Sequence, residues 1–347
     1  MSSKAYGRST LIELLRGNLS CPLIAAFGEI GLADKLLTGP ATKQDLGLNG
    51  NPEVLGACLD YLICIGLLSS RQEADDCLYE LTEPGRMVFR RYGAFSLLHS
   101  YNKYFDSLAE LLTSKSAVMP TVERGENVVG SGALHAKKFF PAALQQLELI
   151  QPKAIIDIGC GDGTFLEYAH ARVPNAELAV IDYSQVAIDA TTKRFSECGI
   201  DLVAAVTSDG SLVDHWAAEL PASFKTASPV VFTIWFVAHE FSQRSETVLI
   251  EFFKRMNATF PKADIILGEI VNLPSTVLAE NARTSIMPEY LFFHRLSGQG
   301  VMSWDAWRRI IARTPYSLAA QVRFDEVKTR NGQCLPSSFV WHLKAPE

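Results

Sequence analysis

The chain contains no Cys-x-x-Cys pair, and its seven cysteines are odd in number and scattered. That absence leaves neither a disulfide framework nor a thiolate zinc site, so most of the thiols read as small core residues. A basic excess is missing too: 32 Lys and Arg against 38 Asp and Glu give a formal charge of −6, which argues against a sequence-independent grip on nucleic acid or on an anionic membrane. No run approaches the roughly 20 uninterrupted apolar residues of a membrane span, and Met1-Ser-Ser-Lys-Ala-Tyr-Gly has no apolar signal core. A cytoplasmic location is expected. Internal repeats and low-complexity segments are absent as well.

What is present suits an ordinary globular chain. Its 347 residues suffice for two domains, and 48% hydrophobic with 20% charged residues can build a core. The most informative stretch is Ala154-Ile-Ile-Asp157-Ile-Gly159-Cys160-Gly161-Asp162-Gly163. An apolar β-branched run suits a buried parallel strand, and glycines at 159, 161 and 163 permit positive φ and let a ligand approach the backbone. A turn without a ligand needs one or two glycines, not three beside two carboxylates.

Charge and spacing select the ligand. The spacing is Gly-x-Gly-x-Gly, not the Gly-x-Gly-x-x-Gly of a dinucleotide fold, and Asp157 and Asp162 would repel a pyrophosphate. A loop rich in carboxylates suits a cation, and S-adenosylmethionine offers a sulfonium and an α-ammonium without phosphate. About 25 residues on, Ala179-Val-Ile-Asp182 ends the next apolar run with an acid placed for a ribose diol. These segments resemble motifs I and II of the class I methyltransferases. The resemblance implies cofactor contacts from Asp157, Gly159, Cys160, Gly161, Asp162, Gly163 and Asp182. It adds Ser208 and Asp209 near the adenine, and Trp235 along the methyl-transfer channel.

The expected fold is α/β: a Rossmann-like, doubly wound sheet behind an N-terminal, mainly helical, winged-helix-like dimerisation domain. Helical periodicity runs from Leu11 to about Phe95, with Asn51 as an N-cap, Pro52 as a first helical residue and a hairpin over residues 68–81. The supposed recognition helix from Pro52 to Leu67 lacks Arg and Lys, so it is expected to meet a second copy of the chain rather than DNA. The domains are placed at 1–100, at 101–150 as a helical connector with a loop from Met119 to Gly132, and at 151–347. Strands are predicted near 154–158, 176–182, 202–206, 229–235 and 264–270, with a closing pair near 318–327 and 338–343.

After the fourth strand comes Ile234-Trp-Phe-Val-Ala-His239-Glu240. It resembles the corresponding stretch of small-molecule O-methyltransferases with an N-terminal winged-helix dimerisation domain, a likeness covering nearly the whole chain. That resemblance makes His239 a general base. The Gly-Gly-Lys-Glu-Arg-Thr turn whose glutamate orients the base in that family is replaced by His294-Arg-Leu-Ser-Gly298-Gln-Gly, so the orienting acid is expected to be missing. The second histidine suggests an open metal site of His239, His294 and Glu240. The pattern is similar to bacterial 2-oxo acid C-methyltransferases of the phenylpyruvate type, which implies a divalent metal (iron, zinc or nickel) stabilising an enolate whose C3 takes the methyl group. Tyr101, Tyr104, Arg124 and Arg283 are candidates for gripping substrate. The competing readings are O-methylation with His239 as base and no metal, and a non-catalytic, cofactor-binding regulator that uses its N-terminal unit on DNA.

Overall fold

The structure, a computed structural model, describes the chain apart from residues 1–2, 48–49, 74–75, 227–228, 243–244, 282–284, 330–331 and 347, and apart from the side chains of 3–9, 124, 126, 128, 129 and 133. It divides into two compact units: Met1–Asp106 with Thr121–Leu134, and Ser107–Pro120 with His135–Glu347. The expected connector 101–150 is thus shared between them.

In the first unit, helices over Ser3–Glu29, Leu32–Thr38, Lys43–Leu46 and Pro52–Cys64 precede a hairpin of Leu68–Glu73 and Asp76–Leu81, to which Ala41–Thr42 adds a third antiparallel strand. Local chemistry sets these boundaries. The Asn51 side chain accepts from the Glu53 and Val54 amides with Pro52 in the first turn, and Thr42 and Asp45 form a reciprocal capping box. The core gathers Ile24, Phe27, Leu36, Leu59, Leu62 and Phe89. Among the described residues one helical stretch, Thr10–Glu29, is long and apolar enough by length and composition to cross a membrane. It carries Glu13 and Arg16, and Leu11, Leu14, Leu15 and Leu19 lie exposed on it.

One expectation fails here. The loop predicted over 119–132 is a helix from Arg124, spanning Arg124–Ala136. Its glycines, read as loop signals, include Gly130, where a Cβ would stand 2.6 Å from the Leu97 amide nitrogen and 2.8 Å from the Gly93 carbonyl oxygen. This glycine serves helix-to-helix approach rather than a turn.

The second unit holds a seven-stranded sheet: β1 (Ala154–Ile158), β2 (Glu177–Asp182), β3 (Ala204–Thr207), β4 (Val230–Trp235), β5 (Ala263–Ile270), β6 (Ser317–Phe324) and β7 (Ser338–Lys344). Their spatial order is β3-β2-β1-β4-β5-β7-β6. The first five are parallel, and β7 runs antiparallel between β5 and β6. This is the expected α/β architecture. Strand side chains alternate between two cores: Ile156, Ile158, Phe232 and Ile234 enter one with Trp216, Phe253 and Trp307, while Ile155, Val231 and Trp235 enter the other with Phe140 and Phe165. Burial on both faces is why these strands read as continuous apolar runs. The order reverses at β1, which opens a crevice at the carboxyl ends of β1 and β4.

Candidate active site

The chain leaves β1 through a turn that glycine alone accommodates. Gly159, Gly161 and Gly163 have φ of 73°, 59° and 76°. A Cβ on Gly159 would lie 2.5 Å from Val237 Cγ2, and one on Gly163 would lie 2.8 Å from Thr191 Cγ2. The Gly159 amide donates to the Ile181 carbonyl at 2.7 Å, and the Asp182 carboxylate accepts from the Gly161 and Ser184 amides at 3.2 and 2.9 Å. The loop is thereby fixed before any ligand arrives, and helix α1 (Thr164–Arg172) begins at its end.

The loop's charge is distributed differently from the simple count. Asp162 turns away, accepting from the Thr164 amide and hydroxyl at 3.1 and 2.6 Å and from Arg194 at 2.6 Å, while Arg194 also pairs with Glu167 at 2.9 Å. Asp157 is buried and accepts from the Thr233 hydroxyl at 2.6 Å. Burial pushes its carboxyl up to about 7 against that hydrogen bond, and the Asp182 charge adds to the rise.

The other expected cofactor residues take varied positions. Cys160 is buried, its thiol raised well above the usual range first by burial and then by the neighbouring aspartates. The Ser208 amide donates to the Asp182 carbonyl at 2.9 Å, and the Asp209 carboxylate folds back onto the Ser211 amide and hydroxyl at 2.8 and 2.7 Å. Trp235 packs on Phe165 and Phe140, with ring centroids 4.7 and 5.2 Å apart.

The two histidines meet. His239 lies in the one-turn helix α2 (Ala238–Phe241) just past β4, and His294 in α3 (Met287–Leu296). Both are buried, and their ring centroids are 5.1 Å apart in an edge-to-face arrangement. His239 Nδ1 is 2.9 Å from Glu269 Oε2, while the His239 amide donates to Oε1 at 3.0 Å and the Ile270 amide donates to Oε2 at 3.1 Å. The orienting acid is therefore present, supplied by the end of β5. The signal in the sequence was a charge breaking the otherwise apolar edge of a buried strand. His294 Nδ1 faces the Tyr290 carbonyl at 2.7 Å, one helical turn back. Burial, then the nearby His239, hold the His294 imidazole well below its usual pKa, so it is neutral. Acceptors at both Nδ1 atoms assign the Nδ1–H tautomer to each ring and leave Nε2 as the lone-pair nitrogen.

That is the arrangement in which imidazoles ligate metals through Nε2, oriented by an outer acceptor at Nδ1. The carboxylate of the expected triad does not join it: Glu240 Oε1 accepts from Gln299 Nε2 at 3.0 Å. Among the described residues no cluster of three or more His, Cys, Asp or Glu forms a metal cage. Of the expected substrate residues, Tyr101 and Tyr104 are buried in the first unit with ring centroids 6.1 Å apart, while Arg283 and the Arg124 side chain lie outside the described residues.

Residues 155–258 match a family model described as a methyltransferase domain. The chain carries a methyltransferase domain over these residues. Its fold is similar to human N-acetylserotonin methyltransferase solved with S-adenosylmethionine, at 16% identity, 100% of each chain covered and TM-score 0.57. It is also similar to an O-methyltransferase family protein from Burkholderia thailandensis, at 11% identity over 100% of this chain and 99% of that one, with TM-score 0.59. At these identities the likeness is one of fold. Trans-aconitate 2-methyltransferase from Yersinia pestis is 36% identical over 55 residues, 16% of this chain and 21% of that protein. The enzyme of that name from Pseudomonas paraeruginosa is 31% identical over 91 residues, 26% of this chain and 30% of that protein. The match thus spans less than a third of either relative.

Proposed function

We propose that this protein methylates C3 of a small 2-oxo acid, using S-adenosylmethionine as methyl donor and a divalent transition metal held by His239 and His294. The observation that carries this reading is the contact of two buried imidazoles, each with Nδ1 facing an acceptor and Nε2 left as the donor atom. Methyl transfer with a single general base gives a second, buried, neutral histidine no task. Glu269 fixes the His239 tautomer and ring plane, the Tyr290 carbonyl fixes those of His294, and burial keeps His294 unprotonated for ligation. A bound metal would draw charge from the keto oxygen of the substrate and acidify the C3–H. Iron, zinc and nickel all suit imidazole. Phenylpyruvate-like, branched-chain and 5-guanidino-2-oxopentanoate-like acids fit this chemistry, as does a place in secondary metabolism such as antibiotic or unusual amino-acid synthesis.

The reading includes a cytoplasmic homodimer joined through the N-terminal unit, whose leucines at 11, 14, 15 and 19 are exposed. Seven free thiols suit a reducing compartment.

A second reading, O-methylation of a phenolic or other hydroxyl, is favoured by the Glu269 contact. With Nδ1 held by a carboxylate, His239 Nε2 accepts the hydroxyl proton and Glu269 stabilises the imidazolium formed.

Elemental analysis of wild type and His294→Ala separates the two. Stoichiometric metal lost in the variant is the expected result, together with metal-dependent exchange of the C3 proton of 2-oxo acids in deuterated water. Wild-type protein that binds no transition metal and still methylates a hydroxyl would replace the first reading by the second.

A further inference from the structure

Phe236 has a left-handed backbone, φ 53°, immediately after β4. A bulky non-glycine residue adopts that conformation only where its surroundings impose it, and such residues gather at functional turns. Two wedges and a hydrogen bond pin this turn. The Trp235 ring lies where a Cβ on Gly268 would come within 2.4 Å, Val237 occupies the space above Gly159, and the Phe236 amide donates to the Gly268 carbonyl at 2.8 Å. Gly268 precedes Glu269, and His239 follows Phe236 by three residues. One strained residue thus sets the spacing between the cofactor loop, the reactive histidine and its acid.

The Phe236 ring is clamped in turn. His135 stacks on it with centroids 4.0 Å apart and planes 24° apart, and Phe139 packs on it at 4.9 Å, itself backed edge-on by Phe324 at 4.9 Å. We propose that His135 is a positioning residue: its stacked ring holds Phe236 in the left-handed turn that delivers His239 to Glu269. Burial, then Lys138, push His135 down to about 3, so the ring is neutral and stacks as an aromatic disc. The inference rests on His239 being the reactive histidine and holds for either methylation reading.

The test is a proton NMR spectrum of full-length, metal-free protein, which needs no substrate and so fails or succeeds independently of the reaction assigned. Wild type is expected to show a strongly deshielded, slowly exchanging His239 Nδ1–H bonded to Glu269. His135→Ala should lose that resonance to solvent exchange, and His135→Phe, which keeps the stack without ring nitrogens, should restore it. In a Phe236→Gly background, where the turn is unstrained and the ring is gone, His135→Ala should add no further change. Survival of the resonance in His135→Ala, its loss in His135→Phe, or an additive effect in the glycine background would each overturn the proposal.

Discussion

Glu269 shows how a single carboxylate can decide the competence of a site. Its two oxygens receive the His239 amide, the Ile270 amide and His239 Nδ1, all inside a fully buried pocket. Glu269→Gln keeps the shape and removes the charge but sets its NH2 group against a buried N–H donor whichever way the amide is turned, so it should lower kcat by on the order of 10²–10⁴-fold and also lower the thermal midpoint, as steady-state kinetics and calorimetry would read. His239 was legible in the sequence because a histidine just past a buried strand stands at the functional edge. The partner acid was sought in the segment after residue 290, where a family turn was missing, although the fifth strand already carried it. Sequence order does not reveal that β5 lies beside β4; pairing does.

Asp157 makes a pH prediction with a definite sign. Its native carboxyl sits near 7 against an ordinary 3.8, so the native state holds the proton over a window where the unfolded chain has released it. The associated stability is full below about pH 4, falls by roughly 1.4 kcal/mol per pH unit through the window, and is gone above pH 7. In urea titrations wild type should therefore lose stability relative to Asp157→Asn as pH rises from about 4 to 7. Parallel curves would exclude the buried carboxyl as their source.

At the scale of elements, the glycine turn combines two constraints on one residue. Gly159→Ala must adopt φ near 73° and also displace Val237, so a loss of about 1–3 kcal/mol is expected in denaturant unfolding, with S-adenosylmethionine binding weakened in calorimetry. The double variant with Val237→Ala should recover only the steric part. The parallel strands were readable because burial on both faces writes an unbroken apolar run into the chain. Helix Arg124–Ala136 was not, because glycine serves turns and close helix contacts alike and a single sequence does not say which. The Glu240–Gln299 contact was equally hidden, since it joins residues 59 positions apart.

For the whole molecule, the expected N-terminal helical domain and doubly wound sheet are both found, and the chain divides into two compact units. The exposed leucines on Thr10–Glu29 give that division a test. Leu14→Glu with Leu19→Glu should convert a dimer to a monomer in sedimentation velocity without disturbing the methyltransferase sheet, read as unchanged S-adenosylmethionine affinity. A monomeric wild type would remove the dimer from the proposal.

The antiparallel strand between β5 and β6 has a consequence for genetics. Because β6 bonds only through β7, a premature stop codon just before Ser338 would not trim a border. It would delete the penultimate strand, orphan the last one and bare the flank of β5 that carries Glu269. A nonsense allele there should behave as a null, its product cleared by quality control, even though the cofactor loop itself is still encoded.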